Sequence, residues 1–236
     1  NSFPGITTRL LGAKVNKVCI AFEDAKGYLK NNVILTGNPI RKGILLMDKD
    51  EAKKFYHFDA KKPVLAILGG SQGSVPFNHH FQYHLEQYTK SNIQILWQCG
   101  KKGFSKLKDL NNHQNVHIIP FTENMDVFYS AADLIVSRSG ALALSEMALL
   151  GKAMVLIPLP HSAGDHQTKN AQTFLQRGGA VLVNQTSLST GCLEKTILKL
   201  IQNSQKIALM EINSKKNGIP YATEKITTVI MEIAKS

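Results

Sequence analysis

From residue 62 onward the chain alternates short apolar runs with amphipathic segments. Residues 64–68 (VLAIL), 93–97 (IQILW), 116–119, 134–136, 154–157 and 180–183 read as strands. They lack strict apolar/polar alternation, which is the pattern of strands covered on both faces. Residues 124–132, 141–150 and 166–176 between them carry helical periodicity. Strand and helix taking turns in this way predict right-handed βαβ crossovers, hence an α/β fold with a doubly wound parallel sheet. The two ends read differently. Residues 7–22 predict a helix running into a short strand, residues 33–36 a second strand, and Gly37-Asn38-Pro39 a break. After Gln185 the pattern turns helical over residues 188–201 and 206–212, Gly218-Ile219-Pro220 interrupts it, and a last amphipathic helix is expected over residues 223–234. No internal repeat or low-complexity tract is visible.

Composition narrows the class. Of the 236 residues 43% are hydrophobic and 19% charged, enough apolar matter for a buried core, which excludes a disordered chain. No apolar run approaches the roughly 20 residues of a transmembrane helix, and the first residues lack a signal peptide's charged start and apolar middle, so neither secretion nor membrane spanning is expected. Cys19, Cys99 and Cys192 are far apart and show no C-x-x-C spacing, which signals neither a disulfide framework nor a zinc site and fits a reducing cytosol. Lys+Arg number 28 against 17 Asp+Glu, a formal net charge of +11, and this predicts an anionic partner such as nucleic acid, acidic lipid or a phosphorylated substrate. Lys101, Lys102, Lys106 and Lys108 cluster around Phe104 and Leu107. No nucleic-acid recognition motif accompanies them, so a solvated face is the default and attraction to anionic lipid headgroups the functional option.

The candidate chemistry sits where predicted strands end. Gly69-Gly70-Ser71-Gln72-Gly73 directly follows the strand at residues 64–68. A glycine-rich turn opening a helix lets backbone N–H groups approach an anion, and the helix terminus adds about half a positive charge, so phosphate is the natural ligand. A tight turn needing positive φ would account for the glycines equally well. The run does not match the G-x-G-x-x-G dinucleotide fingerprint, which counts against a nicotinamide-dependent oxidoreductase. Ser137-Arg138-Ser139-Gly140 forms a second such turn, and two helix N-termini at strand carboxyl ends would flank one crevice suited to a diphosphate. Glu146, on the helix that follows, is either an acceptor for two ribose hydroxyls or a solvated glutamate. The loop from Pro158 to Gln167 carries Asp165, His161 and His166. Sugar contact or helix capping suits it better than a metal or nucleophile role, since a third ligand and a G-x-S-x-G elbow are both lacking. Asp48-Lys49-Asp50 has the D-x-D form that some transferases use to hold a divalent ion, but in a charged connector a solvated turn is the better account.

Gly37-Asn38-Pro39-Ile40-Arg41, Leu68-Gly69-Gly70-Ser71-Gln72-Gly73, Ser139-Gly140-Ala141-Leu142, Ser145-Glu146 and Asp165-His166-Gln167 with Asn170-Ala171 occur in that order. In this the chain closely resembles, over nearly its whole length, the MurG family of bacterial transferases, which move N-acetylglucosamine from UDP-N-acetylglucosamine onto lipid I (undecaprenyl-pyrophosphoryl-MurNAc-pentapeptide) to give lipid II in peptidoglycan synthesis. The resemblance implies a two-domain glycosyltransferase B fold working with inversion and without a bound metal or cofactor, at the cytoplasmic face of the inner membrane as a peripheral protein on anionic lipid, with no nucleic-acid partner.

It further implies that residues 1–37 are the end of a Rossmann-like acceptor domain, residues 38–217 the UDP-sugar-binding domain, and residues 218–236 a helix returning toward the first segment. The catalytic base, a histidine, is expected upstream, so that this chain binds donor without turnover. By the same likeness Arg41 and Ser71 contact the diphosphate, the backbone at Thr122 reads the uracil edge and Glu146 holds the ribose. Ala141, Leu142, Ala143, Leu144 and Ser145 line the helix start at the phosphates and sugar, while Gln167 and Asn1 bind N-acetylglucosamine hydroxyls. Ala143 departs from the family's usual threonine, and loss of that hydroxyl is expected to weaken donor binding by about 0.5–1.5 kcal/mol. The competing readings are a donor-binding subunit completed by a separate acceptor subunit, and half of another UDP-sugar glycolipid transferase.

Overall fold

The computed structural model describes residues 1–30, 32–41 and 43–235. Helix α1 (Ile6–Gly12) leads to β1 (Val18–Ile20), which pairs in parallel with β2 (Val33–Leu35) as a separate two-stranded sheet. Helix α2 (Lys49–Phe55) precedes the main sheet. There the order is β3 (Val64–Leu68), α3 (Val75–Tyr83), α4 (Leu85–Lys90), β4 (Gln94–Gln98), α5 (Lys101–Leu107), β5 (Val116–Ile119), α6 (Met125–Ala131), β6 (Leu134–Ser137), α7 (Ala141–Leu149), β7 (Met154–Leu156), α8 (His166–Gln176) and β8 (Ala180–Leu182). Three helices follow, α9 (Cys192–Ile201), α10 (Ser204–Lys215) and α11 (Ala222–Ala234).

All six main strands pair in parallel, in the order β5-β4-β3-β6-β7-β8. Starting from β3 the chain winds outward through β4 to β5, then returns to lay β6 on the other side of β3 and continues outward to β8. The winding direction therefore reverses between β3 and β6, which run side by side with Leu68 opposite Ser137. Loops leaving two such strands diverge to opposite faces and open a crevice at the strands' carboxyl ends.

Both sheet faces are covered. Within β3, Leu65 and Ile67 join Phe77 and Phe81 of α3, Tyr88 of α4 and Ile197 of α9 on one side. Val64, Ala66 and Leu68 join Phe128 of α6, Leu144 and Met147 of α7 and Phe174 of α8 on the other. All five β3 residues are buried, which is why the strand reads as a continuous apolar run.

Three local expectations change. Residues 188–201 are not one helix: a 3-10 turn spans Gln185–Ser189, and Gly191, at φ 71°, breaks the helical path before α9 begins. Asp48-Lys49-Asp50 is not a solvated turn, for Asp48 caps α2, its Oδ1 accepting from the N–H of Asp50 at 2.9 Å and of Glu51 at 3.0 Å. Helices α2 to α5 also add to the expected helices, and α2 and α5 carry only two apolar residues each, too few to show a periodicity.

The amino ends of the strands close over buried charge. Asp133 accepts from the Val64 N–H at 2.8 Å and pairs with Lys49 at 2.5 Å and Lys53 at 3.3 Å. Lys152, 5% exposed, donates to the Ala132 carbonyl at 3.1 Å.

Candidate functional site

The crevice at the β3/β6 reversal is built from two loops. In the first, Gly73 has φ 75°, and a Cβ there would lie 2.1 Å from the Cys99 carbonyl oxygen. Gly100 has φ 82°, and its Cβ would lie 2.3 Å from the Gln72 carbonyl oxygen. The loops after β3 and β4 thus interlock backbone to backbone, and this contact requires glycine at both positions. Gly70, at φ 86°, faces open space, and its carbonyl accepts from the Gly73 N–H at 2.9 Å to close the turn. Ser71 and Gln72 are exposed at its tip. Neither Ser74, the N-cap of α3, nor Gly140, the N-cap of α7, caps its helix with a side chain, and neither first turn carries an acidic residue. Two helix N-termini with free N–H groups and partial positive charge therefore meet at one place.

Arg138 joins them. Its Nη1 donates to the carbonyls of Ile157 and Pro158, both at 3.1 Å, and its Nη2 to Ser74 Oγ at 2.9 Å and Gln185 Oε1 at 2.6 Å, while the guanidinium lies 4.5 Å from the centre of the Phe77 ring. All these hydrogen-bond partners are neutral, and among the described residues no carboxylate neutralises the cation. Burial pushes its pKa down to about 10, so it stays charged at neutral pH. The cleft around it holds about 560 Å³ and includes Ser71, Ala143 and Gln167 in its wall. A half-buried cation beside two helix N-termini is a site for an anion. In the sequence Arg138 stands out only as part of a turn, and the lack of a nearby carboxylate that marks it out is a property of the folded chain.

Glu146 is buried, not solvated. Its Oε1 accepts from Arg41 Nε at 3.2 Å and its Oε2 from the Tyr129 hydroxyl at 3.0 Å. Burial and the Glu146 charge push the Tyr129 hydroxyl well above its ordinary pKa, so it remains a donor. Arg41 also donates to the Glu123 carbonyl at 3.0 Å, and it is absent from the cleft wall that contains Ser71. The structure thus pairs Arg41 with Glu146 rather than with Ser71. Asn38 donates to the Ala141 carbonyl at 3.2 Å and to Ser145 Oγ at 2.9 Å, anchoring α7. Leu142 is exposed and Ala143 borders the cleft, but Leu144 is fully buried in the core and its N–H is bonded to the Gly140 carbonyl. The Leu144 side chain therefore serves packing.

The remaining expected residues lie around this centre. The Thr122 N–H donates to Gln98 Oε1 at 3.2 Å, and Gln98 Nε2 donates to the Gly70 carbonyl at 3.3 Å, so one buried amide ties the loop after β5 to the glycine turn. Gln167 Oε1 accepts from the Leu159 N–H at 2.9 Å, and its carbonyl accepts from Ser139 Oγ at 2.7 Å. Asn170 donates to the Ser139 carbonyl and to Asn1 Oδ1, each at 3.1 Å, which places Asn1 beside α8. Asp165 accepts from the Thr168 hydroxyl at 2.6 Å and makes no backbone cap. The four lysines of the basic cluster are exposed, whereas Leu107 is buried and Phe104 half-buried, so only the charges of that segment face solvent.

Comparison with known proteins bears on this geometry. Residues 64–226 match the glycosyltransferase family 28 C-terminal domain. The chain is 38% identical over its full length to the UDP-N-acetylglucosamine--N-acetylmuramyl-(pentapeptide) pyrophosphoryl-undecaprenol N-acetylglucosamine transferase of Flavobacterium psychrophilum, covering 65% of that protein. It is 33% identical over 99% of its length to the protein of the same name from Parabacteroides distasonis, again covering 65%. The crystal structure of Acinetobacter baumannii MurG superimposes with a TM-score of 0.79 at 27% identity, over 98% of this chain and 65% of that one. The chain therefore spans about two-thirds, at 65%, of the length of the relatives it matches.

Proposed function

The chain belongs to the glycosyltransferase family 28 C-terminal domain family, and from that premise we propose that it is the donor-binding part of a transferase that moves N-acetylglucosamine from UDP-N-acetylglucosamine to lipid I, forming lipid II. The observation that carries this reading is the convergence of two uncapped helix N-termini and the carboxylate-free Arg138 at the sheet's reversal point. A nucleoside diphosphate matches that charge, and the relatives' names supply the sugar and the acceptor.

In the proposed reaction the C4 hydroxyl of the muramyl sugar attacks the anomeric carbon, inverting it, and UDP leaves. Negative charge then grows on the diphosphate. The N–H groups of α3 and α7 are held by the fold before reaction, so they stabilise that charge without reorganising. Ser71 and Arg138 border the phosphates, with Arg41 swinging from Glu146 toward them. Glu146 keeps an unused lone pair on each oxygen for the ribose hydroxyls. Because the Thr122 N–H is occupied by Gln98, its carbonyl is the group left to read the uracil edge. Ala141, Leu142, Ala143 and Ser145 flank the phosphates and sugar, and Gln167 and Asn1 the sugar hydroxyls. Work on a lipid acceptor implies peripheral attachment at the cytoplasmic face of the membrane, to which the exposed Lys101, Lys102, Lys106 and Lys108 would draw anionic headgroups. Among the described residues no helix is long and apolar enough to cross a membrane.

Calorimetric titration with UDP-N-acetylglucosamine, and with UDP-N-acetylgalactosamine and NADH as controls, tests the reading. Selective binding of the first, abolished or strongly weakened in Arg138→Met, is the expected result. A folded chain that binds all three alike, or none, would sink it.

A further inference from the structure

Three of the seven buried side-chain polar atoms that lack a hydrogen-bond partner among the described residues belong to one cluster: His80 Nε2 and both carboxylate oxygens of Glu194. Native interiors leave few such atoms, and their concentration marks a place where a bound species completes the bonding. His80 and His84 stand one helical turn apart at the end of α3, and Glu194 reaches them from the first turn of α9. His84 Nε2 lies 2.6 Å from Glu194 Oε1 but out of hydrogen-bond alignment, and His80 Nε2 lies 3.9 Å from Glu194 Oε2. The ligating atoms of the three side chains fall within 4.8 Å of one another.

Chemistry decides what fits between them. His80 Nδ1 is 3.0 Å from the Leu188 carbonyl oxygen, which can only accept, so Nδ1 carries the proton. In that tautomer Nε2 presents a bare lone pair to a carboxylate oxygen. Two lone pairs facing each other repel unless positive charge lies between them.

We propose that His80, His84 and Glu194 form a binding site for a divalent transition metal of the zinc class. Two imidazole nitrogens and a carboxylate are a donor set such ions take, at about 2.0–2.2 Å, which sets ligand separations of about 3.3–3.6 Å in a tetrahedron. The observed 2.6 and 3.9 Å straddle that range, so modest side-chain movement suffices. Leu188 supplies the outer carbonyl that fixes the ring of a metal-bound histidine. The His84 side chain, 23% exposed, opens the site to a groove of about 880 Å³, which serves as an entry path and leaves a coordination position for water. An ion here would brace α3, which starts at the glycine turn, against α9 and the Gln185–Ser189 turn. That turn supplies both the Leu188 carbonyl to His80 and the Gln185 side chain to Arg138.

The test uses the full chain after treatment with a chelator. Co2+ is titrated and followed by visible absorption, Zn2+ is measured by displacing it, and melting is recorded with and without Zn2+. One equivalent of Co2+ with tetrahedral bands, bleached by Zn2+, is expected, together with a melting temperature raised by about 5–10 °C at a hundredfold excess over Kd. His84→Gln and Glu194→Gln should each weaken Zn2+ binding by roughly 100-fold or more, whereas His79→Gln, an exposed position on the same helix, should not. A parent chain with no tetrahedral Co2+ spectrum, or unchanged affinity in His84→Gln, would overturn the proposal and leave His84 and Glu194 as a close side-chain contact between α3 and α9. The parent spectrum alone decides if a variant does not fold.

Discussion

Replacing Glu146 with glutamine distinguishes a ribose acceptor from a carboxylate that merely holds the fold. The structural share comes first. Arg41 is 47% exposed, so its pair with Glu146 contributes about 0.5–1 kcal/mol after solvent screening. The Tyr129 hydroxyl is buried and donates to a charged acceptor, and a neutral amide oxygen in its place forfeits about 1 kcal/mol. Glu146→Gln should therefore be about 1–2 kcal/mol less stable, which lowers the melting temperature by about 2–8 °C for a chain of this size. Glu146→Ala would be a poor test, because it strands the Tyr129 hydroxyl and opens a cavity, for about 3 kcal/mol or more in total. The binding share is separate. If the carboxylate accepts two ribose hydroxyls, the change to an amide weakens each bond by about 1 kcal/mol, and Kd for UDP-N-acetylglucosamine rises by about 30-fold. Tyr129→Phe removes the buried hydrogen bond while leaving the carboxylate and its Arg41 pair in place, so it should cost about 1–3 kcal/mol and leave Kd unchanged. Thermal unfolding and calorimetry, run well below each variant's melting temperature, read the two quantities independently. Binding by Glu146→Gln within twofold of the parent, or equal weakening by Tyr129→Phe, would refute the ribose assignment and leave Glu146 as a packing element.

Two further predictions concern the scaffold. Gly73→Ala should cost about 3 kcal/mol or more in urea unfolding, because its Cβ meets the Cys99 carbonyl at 2.1 Å, whereas Gly70→Ala, strained at φ 86° but facing open space, should cost only about 1–2 kcal/mol; equal costs would show that the two loops do not interlock. Burial lowers the pKa of Lys152 to about 8 from the 10.5 of a free lysine, so its charging penalty is fully present below pH 8 and relieved as pH rises toward 10.5. That gap corresponds to about 3 kcal/mol, and after about 1 kcal/mol for the lost bond to the Ala132 carbonyl, Lys152→Met should be about 1–2 kcal/mol more stable at pH 7. The advantage should vanish between about pH 9 and 10 and reverse by about 1 kcal/mol near pH 10.5, and a gain that does not depend on pH would contradict the assigned cause.

Local pattern was enough to place the six strands of the main sheet within a residue or two, since a parallel strand covered on both faces must be apolar throughout, as Val64 to Leu68 is. It also located the glycine turn and Gly140 at strand ends, because tight strand-to-helix connections restrict which residues can stand there. Helices such as α2 and α5 were beyond it: each offers only two apolar residues, Ala52 and Phe55 or Phe104 and Leu107, too few to repeat a pattern. What each polar residue does was decided by pairing across long stretches of sequence. Glu146 became a buried acceptor only when Arg41, 105 residues away, and Tyr129 closed on it. Arg138 became a cation without a carboxylate because the strand order brings Ser74, Pro158 and Gln185 to one end of the sheet. His80 and His84 meet Glu194 because α3 and α9 share the core on one face. Sequence alone set the elements and the turn chemistry, since these depend on neighbours a few residues apart. Tertiary structure alone set charge, burial and partnership, since these depend on which distant groups displace water around a side chain.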